Sequence, residues 1–390
     1  MSPDYSVDAR TAPNDAYSKE VVKEFVLQRL RLTPSTLGRT MEDVPEIVRA
    51  TGGLQHGGHL IELFNRFEDF RPKWFDHWYH NKELVEGHVL RGALRIVNTD
   101  EYPYYFKATR SVARRRRYQN CPAELYEGHL LAIPLVEEHG PLTLQEFREL
   151  FGEKYPLYRD RARRILTDLY NHGEVVRTGR KNQKPLFHAV KMLSYLSDML
   201  AVDEEEAKNW LLLRCLSIYG PLTPGDIAHW VGWNITETTD ILRRLLVTGA
   251  VVRVKMEHDE RDHYTCSRDL KLLDSLRDDL PEHEFIRILF NDDSLLLGYY
   301  QRLGDYFGYP WRYPQFSEGI VWRAGILYGR ELAGDAVVEM FSGSELFIVK
   351  KLILRRELVK QGIIPRIKDE FKRHAAFYGK DLQIAQADVL

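Results

Sequence analysis

A short stretch near the N-terminus, Gly53-Leu54-Gln55-His56-Gly57-Gly58-His59-Leu60-Ile61-Glu62, gathers an amide, two imidazoles and a carboxylate beside flexible glycines. That set suits the activation of water. An amide holds a water by accepting with its carbonyl and donating with its NH2, and an imidazole takes a proton near neutral pH. On a helix, Gln55, His59 and Glu62 would share one face at i, i+4 and i+7, making His59 a base whose tautomer Glu62 fixes. His56 is the other candidate base. The same residues also read as ordinary polar groups beside a Gly-rich turn, with Gln55 a plain hydrogen bonder at a helix end. No Gly-rich phosphate loop, metal-ligand cluster or Ser-His-Asp set rises above background. Cys121, Cys215 and Cys266 are far apart and form no CxxC pair, which suggests neither a zinc site nor a disulfide framework. The expectation is a chain without metal or cofactor, suited to a reducing cytoplasm.

The second chemistry is that of cations. The chain carries 390 residues and a net charge of −2, so it is no simple basic nucleic-acid binder, but its charge is unevenly spread. From Lys107 to Asn120 there are six basic residues and no acid, including the run Arg114, Arg115, Arg116 and Arg117; from Pro156 to Lys191, nine bases face three acids. Between Glu257 and Glu282 the balance reverses, to nine acids against four bases. Clustered bases in a near-neutral chain predict a basic face, as DNA requires; a solvated surface is the plainer reading, and for Arg114–Arg117 a solvated linker stands equal to phosphate contact.

These groups must be held by elements, and the elements repeat. Gly140-Pro141-Leu142-Thr143 recurs about eighty residues later as Gly220-Pro221-Leu222-Thr223. Each copy follows an apolar helical stretch, leads into two more helical patterns, and closes on a Gly and a strand: Gly173-Glu174-Val175-Val176-Arg177 and Gly249-Ala250-Val251-Val252-Arg253. Helix, turn, helix, helix and hairpin is the layout of a winged helix-turn-helix unit. Thr143 to Glu146 reads as a capping box, Thr223 to Asp226 as a variant with Pro224 at the first helical position, and Asn234 to Glu237 as another box. The third helix of the first copy leaves Arg159, Arg161, Arg163 and Arg164 around its apolar residues, placed to enter a groove. Its hairpin tip, Gly179 to Lys184, is basic through Arg180, Lys181 and Lys184, whereas Glu257 to Asp262 is acidic. The first copy is therefore expected to meet DNA more than the second.

Ahead of the copies, helices are expected over Ser18–Leu32, Glu42–Thr51 and Gly58–Phe70. A strand over Val89–Val97, with Tyr104-Tyr105-Phe106 as its return, would complete a third, diverged winged helix. Trp74, Phe75, Trp78 and Tyr79 read as packing under that unit, or as a wedge against a distorted base. After the acidic stretch, strands are expected over Phe285–Leu289, Val321–Tyr328, Asp335–Phe341 and Glu345–Ile353, then helix from Leu354 to Phe377. The fold class is thus mainly α with β: three tandem winged helix-turn-helix units followed by a small C-terminal β-barrel-like domain. The divisions are a disordered tail at 1–16, units at 17–118, 119–198 and 199–272, and the β-rich domain at 273–390. No apolar run reaches the ~20 residues that span a bilayer, and no secretory h-region opens the chain.

This order resembles one family, the crosslink-repair winged-helix DNA glycosylases typified by AlkZ and YcaQ. Gly53-Leu54-Gln55-His56-Gly57 resembles its "GLQ" run with a Gln-x-Gln/Asp motif; Arg91-Gly92-Ala93-Leu94-Arg95 resembles its "RGTLH" strand; Asp293 to Arg302, DSLLLGYYQR, resembles its "FDEYLLGYxxR" element. The resemblance spans roughly 18 to 378. It implies that Gln55 positions the hydrolytic water. The family's second Gln or Asp is Gly57 here, and its strand His is Arg95, so Gln55 alone carries over; His56, His59 or Glu62 would have to supply the missing partner. Asp293 and Arg302 read as a fold-stabilising pair across the C-terminal domain.

The implied reaction is monofunctional hydrolysis of the N-glycosidic bond of alkylated or crosslinked bases in damaged double-stranded DNA. The alternatives are a non-catalytic DNA binder, for damage recognition or transcription, and a protein-interaction module whose winged helices no longer touch DNA.

Overall fold

The computed structural model describes residues 16–117, 123–182, 184–193, 202–309, 311, 321–340, 343–359, 362–384 and 387–389. The expected tail, but for its last residue, and Cys121 lie outside them. The N-terminal part runs α1 (Lys19–Arg29), α2 (Val44–Ala50), β1 (Leu54–Gln55), α3 (His59–Phe64), α4 (Pro72–His80), β2 (Leu84–His88), β3 (Leu94–Asn98) and α5 (Tyr102–Arg117). The first copy follows as α6 (Ala123–His139), α7 (Leu144–Lys154), α8 (Ala162–Asn171), β4 (Val175–Lys181) and β5 (Lys184–Ala189). The second is α9 (Glu204–Tyr219), α10 (Pro224–Val231), α11 (Ile235–Val247), β6 (Val251–Met256) and β7 (Asp259–Cys266), then α12 (Leu270–Asp278). The C-terminal part comprises β8 (Ile286–Phe290), α13 (Ser294–Gly298), α14 (Leu303–Phe307), β9 (Val321–Tyr328), β10 (Glu331–Met340), β11 (Leu346–Leu354), α15 (Arg356–Val359), α16 (Ile364–Phe377), β12 (Asp381–Ile384) and β13 (Ala387–Val389).

The two copies share one backbone logic. Leu142 bridges Phe187, and Leu222 bridges Tyr264, so in each the residue after Gly-Pro is tied to the second strand of its hairpin. Both Thr boxes form with reciprocal side-chain and backbone bonds. At Asn234 only half of one exists: its side chain accepts from the Glu237 N–H at 2.8 Å, while the Glu237 carboxylate lies 2.9 Å from Lys208.

The N-terminal hairpin differs from its expectation. Its strands are β2 and β3, separated by a turn in which Arg91 takes φ 52°, and Tyr104-Tyr105-Phe106 belongs to α5. Three consecutive aromatics favour strand locally. Tyr102, Tyr105, Phe106 and Thr109 nonetheless sit at i, i+3, i+4 and i+7 and are all buried, and that helical face decides the outcome.

β1, β3 and β2 continue into the hairpin of the first copy, giving one five-stranded sheet in the order β1-β3-β2-β4-β5. One row crosses it from end to end, Leu54–Ile96–Glu86–Arg177–Phe187. Alternate residues feed separate cores: Val85, Val89 and Val97 join the large cluster of α1, α5 and α9–α12, whereas Leu54, Leu84 and Ile96 join the cluster under the C-terminal sheet. A third core fills the first copy.

β12-β11-β10-β9-β8 with β13 beside β11 curls into a half-barrel. Register shifts in β10 supply bends. Gly334 lies where a Cβ would stand 2.0 Å from the Ile353 carbonyl oxygen. α16 covers the sheet with Ile367, Phe371 and Ala375.

Candidate active site

The Gln55 segment is not a helix. Gly52 and Gly53 end α2 with positive φ, and the chain then runs two residues as β1 beside β3. Gly53 has φ +93°, and a side chain there would meet Val97 Cγ1 at 2.6 Å. Gln55 pairs with Arg95, whose buried guanidinium donates back to the Gly53 carbonyl at 2.7 Å. Gly57, at φ +97°, then turns the chain off the sheet, with nothing within 4 Å of where its Cβ would be. Gln55 is therefore half-buried at the sheet's edge on the Arg95 face, and His56, the next residue, lies on the other face with Glu86 and is 44% exposed.

His56 is held from behind. Its Nδ1 lies 3.0 Å from Glu86 Oε2. The other oxygen of the buried Glu86 accepts from the Tyr170 hydroxyl at 2.7 Å and from Arg177 Nη1 at 2.9 Å. Burial alone would push the Glu86 carboxyl up, but the bond and charge of His56, the Tyr170 hydroxyl and the Arg177 guanidinium outweigh it and hold it at about 2. An ionised carboxylate at Nδ1 draws the N–H to that nitrogen and leaves the Nε2 lone pair for solvent. Arg177 is itself fixed between the rings of Tyr170 and Phe187, 4.2 and 4.7 Å from their centroids. Sequence patterns do not single out Glu86, Tyr170 or Arg177. The one signal they carry is a Glu set between Val85 and Gly87 in a buried strand, where an unpaired carboxylate is costly.

His59 and Glu62 do not pair. His59 begins α3, buried against Phe75 at 4.6 Å and 6.3 Å from the His56 ring. Neither of its nitrogens has a hydrogen-bond partner, and burial, with the charges of His56 and Arg180, lowers it to about 4. Glu62 points to the C-terminal part instead: Oε1 accepts the Ser294 N–H at 3.0 Å and lies 3.5 Å from Arg66 Nη2. The expected shared face fails because Gln55 is in a strand and α3 starts only at His59.

Asp293 and Arg302 do not pair with each other either. Asp293 takes a two-pronged bond from Arg66, at 2.7 and 3.0 Å. Arg302 donates to the Pro221 carbonyl at 2.7 Å and to the Tyr306 hydroxyl. Phe75 and Tyr79 are buried, and Trp74 and Trp78 pack beside them, so all four serve the core.

The basic residues lie on the first copy. Arg159 and Arg163 are exposed on the turn before α8 and on its first turn. Arg180 lies over the Tyr79 ring at 5.9 Å, Lys181 is 2.6 Å from Glu146, and Lys184 is 3.0 Å from Gln145. A groove of about 870 Å³ between α7 and the β4–β5 hairpin is lined by Arg148, Arg159, Arg177 and Lys184, together with Glu149 and Glu153, around Pro185 and Phe187. Arg114, Arg115, Arg116 and Arg117 end α5, and their side chains lie outside the described residues. Among the described residues no His, Cys, Asp and Glu group could hold a metal, and no helix is long and apolar enough to cross a membrane.

Residues 48–375 match a family model described as DNA glycosylase AlkZ-like. Among solved structures, the Streptomyces sahachiroi DNA glycosylase AlkZ has a similar fold, with a TM-score of 0.68 over 96% of this chain and 100% of that one, at 15% identity. No curated protein sequence matches the chain.

Proposed function

The chain belongs to the AlkZ-like DNA glycosylase family, and from that membership we propose that it is a monofunctional glycosylase hydrolysing the N-glycosidic bond of alkylated or crosslinked bases in duplex DNA. The observation that supports this reading is a half-buried Gln55 on the edge strand of the five-stranded sheet, followed by a partly exposed His56 that the buried Glu86 holds through Nδ1. An N-alkylated purine is already cationic and leaves without a general acid, so the chemistry calls for no metal or cofactor. What the protein must supply is a placed water and stabilisation of positive charge on the sugar. Gln55 orients the water through its amide, and His56 takes its proton. His59 packs behind the His56 ring as backing.

Two copies and the N-terminal segment act in this reading as three winged-helix units, divided as the sequence suggests at 17–118, 119–198 and 199–272. The duplex lies against the first copy, with Arg159, Arg163, Arg180, Lys181 and Lys184 meeting phosphates and Arg114–Arg117 extending the contact.

The test is base release from duplex DNA carrying N7-alkylguanine, read as alkali-labile breaks. Gln55→Ala should lower release roughly 10²- to 10³-fold, the scale of losing one preorganised polar group, while leaving DNA affinity nearly unchanged. Unchanged release removes Gln55 from the mechanism. One observation favours a second reading, a non-catalytic damage binder: the family's second side chain is replaced by Gly57, in a left-handed conformation with open space around it. Salt-sensitive binding to the same duplex without release by the unaltered protein would decide for it.

A further inference from the structure

We propose that Glu86 is the positioning residue that makes His56 the base, and that the first copy sets it through Tyr170 and Arg177, so that the site is assembled from two units. This rests on the glycosylase reading above and adds residues to it.

Glu86 and Arg177 are register partners across the β2–β4 junction, the pairing that joins the two hairpins into a single sheet. Cross-strand partners have Cβ atoms about 4.5–5.5 Å apart, so an Arg opposite a Glu meets it without searching, and Arg177 Nη1 does so at 2.9 Å. Tyr170 reaches the same oxygen from the end of α8. Between them they occupy one carboxylate oxygen and leave the other for His56. A buried charge with a single partner would be costly, whereas three donors on two oxygens satisfy it. The outcome is a partly exposed imidazole fixed through Nδ1, with Nε2 left as the basic nitrogen.

As the C1′–N bond of the alkylpurine breaks, its electron pair goes to the ring nitrogen, and the cationic base departs neutral. The oxygen of the attacking water forms the new bond to C1′. Its proton passes to His56 Nε2, and the imidazolium so formed is stabilised by Glu86 through Nδ1–H. The products are the free base and an abasic sugar carrying a C1′ hydroxyl.

A double-mutant cycle in single-turnover base release tests the assignment. His56→Ala should leave measurable release, because the cationic base departs unaided. Glu86→Gln keeps size and hydrogen bonding but removes the charge, and should slow release about 10²-fold, within the span of general-base effects, with the KM for duplex unchanged. In the His56→Ala background the same substitution should change nothing. Tyr170→Phe, a milder change that leaves the fold intact, should slow release a few-fold and only when His56 is present. An equal loss from Glu86→Gln in both backgrounds, or no loss in either, overturns the positioning role while the glycosylase stands. No release by the unaltered protein removes the reaction itself, and the assignment with it.

Discussion

Arg66→Met removes the cation on which the junction of α3 and the C-terminal part is built. The Arg66 side chain is fully buried. It donates to Asp293 twice, to the Leu30 carbonyl at 2.8 Å and to the Glu62 carbonyl at 3.0 Å. Asp293 in turn caps α13 through the Leu295 N–H, and Glu62 holds the Ser294 N–H. With Arg66 present, the carboxyl groups of Glu62 and Asp293 share one buried cation; without it both lose their counter-charge. Removing one partner of a buried pair costs about 3–5 kcal/mol. With an unfolding entropy of roughly 2.1 cal/mol/K per residue, the chain's melting temperature should fall by about 5 °C. The pH dependence has a fixed sign. Burial already raises the Glu62 carboxyl above its ordinary value despite Arg66, and losing the cation raises it further. A raised folded-state value favours the folded protein at low pH and loses that contribution as pH rises through it, so the deficit must grow from pH 5.5 to pH 8. Differential scanning calorimetry of both proteins at the two pH values reads this directly. A drop below 1 °C, or a deficit that shrinks with rising pH, refutes this account of the junction.

Two further outcomes follow from the same geometry. Burial lowers His59, His188 and His374 each to about 4; their folded values lie below the unfolded value near 6.5, so their contribution is intact above pH 6.5 and lost as pH falls toward 4, at about 3 kcal/mol each. The urea midpoint should fall through that window and fall less for His374→Gln; a midpoint flat from pH 7 to pH 5 would contradict it. Arg180→Glu with Lys181→Glu should weaken binding to every DNA sequence alike and flatten the log-affinity against log-salt slope by about one for each phosphate no longer neutralised. Weakening confined to one sequence would point to base readout instead.

Much of the fold was legible because it is written locally. The Gly-Pro-Leu-Thr repeat, its Thr caps and the spacing of Ile165, Leu166 and Leu169 determine the copies over short distances, and β9 runs Val321–Tyr328 as its residues suggest. Where local preference and packing disagreed, packing won: the aromatic run at 104–106 is helical because one face of α5 is buried. β12 and β13 escape a sequence reading, since they are short strands added in parallel to β11, a pairing that no local signal marks. In the site, Gln55 and His56 are visible as residue types, but Glu86 is not, because the contact joins residues 30 apart. Its donors, Tyr170 and Arg177, lie 84 and 91 residues beyond Glu86. The misplacement of Glu62 has the same root: a helix assumed through Gln55 puts the carboxylate on the wrong side of the turn at Gly57.

The row from Leu54 to Phe187 also bears on how such a protein can be inherited and engineered. Because β2 and β4 are stitched at Glu86 and Arg177, the first copy is not a cassette. Replacing 123–193 with a foreign segment of similar outline would keep a fold for that segment but sever the support behind His56. Diversification therefore has to work at the groove and the hairpin tip, or exchange both hairpins together as one heritable block.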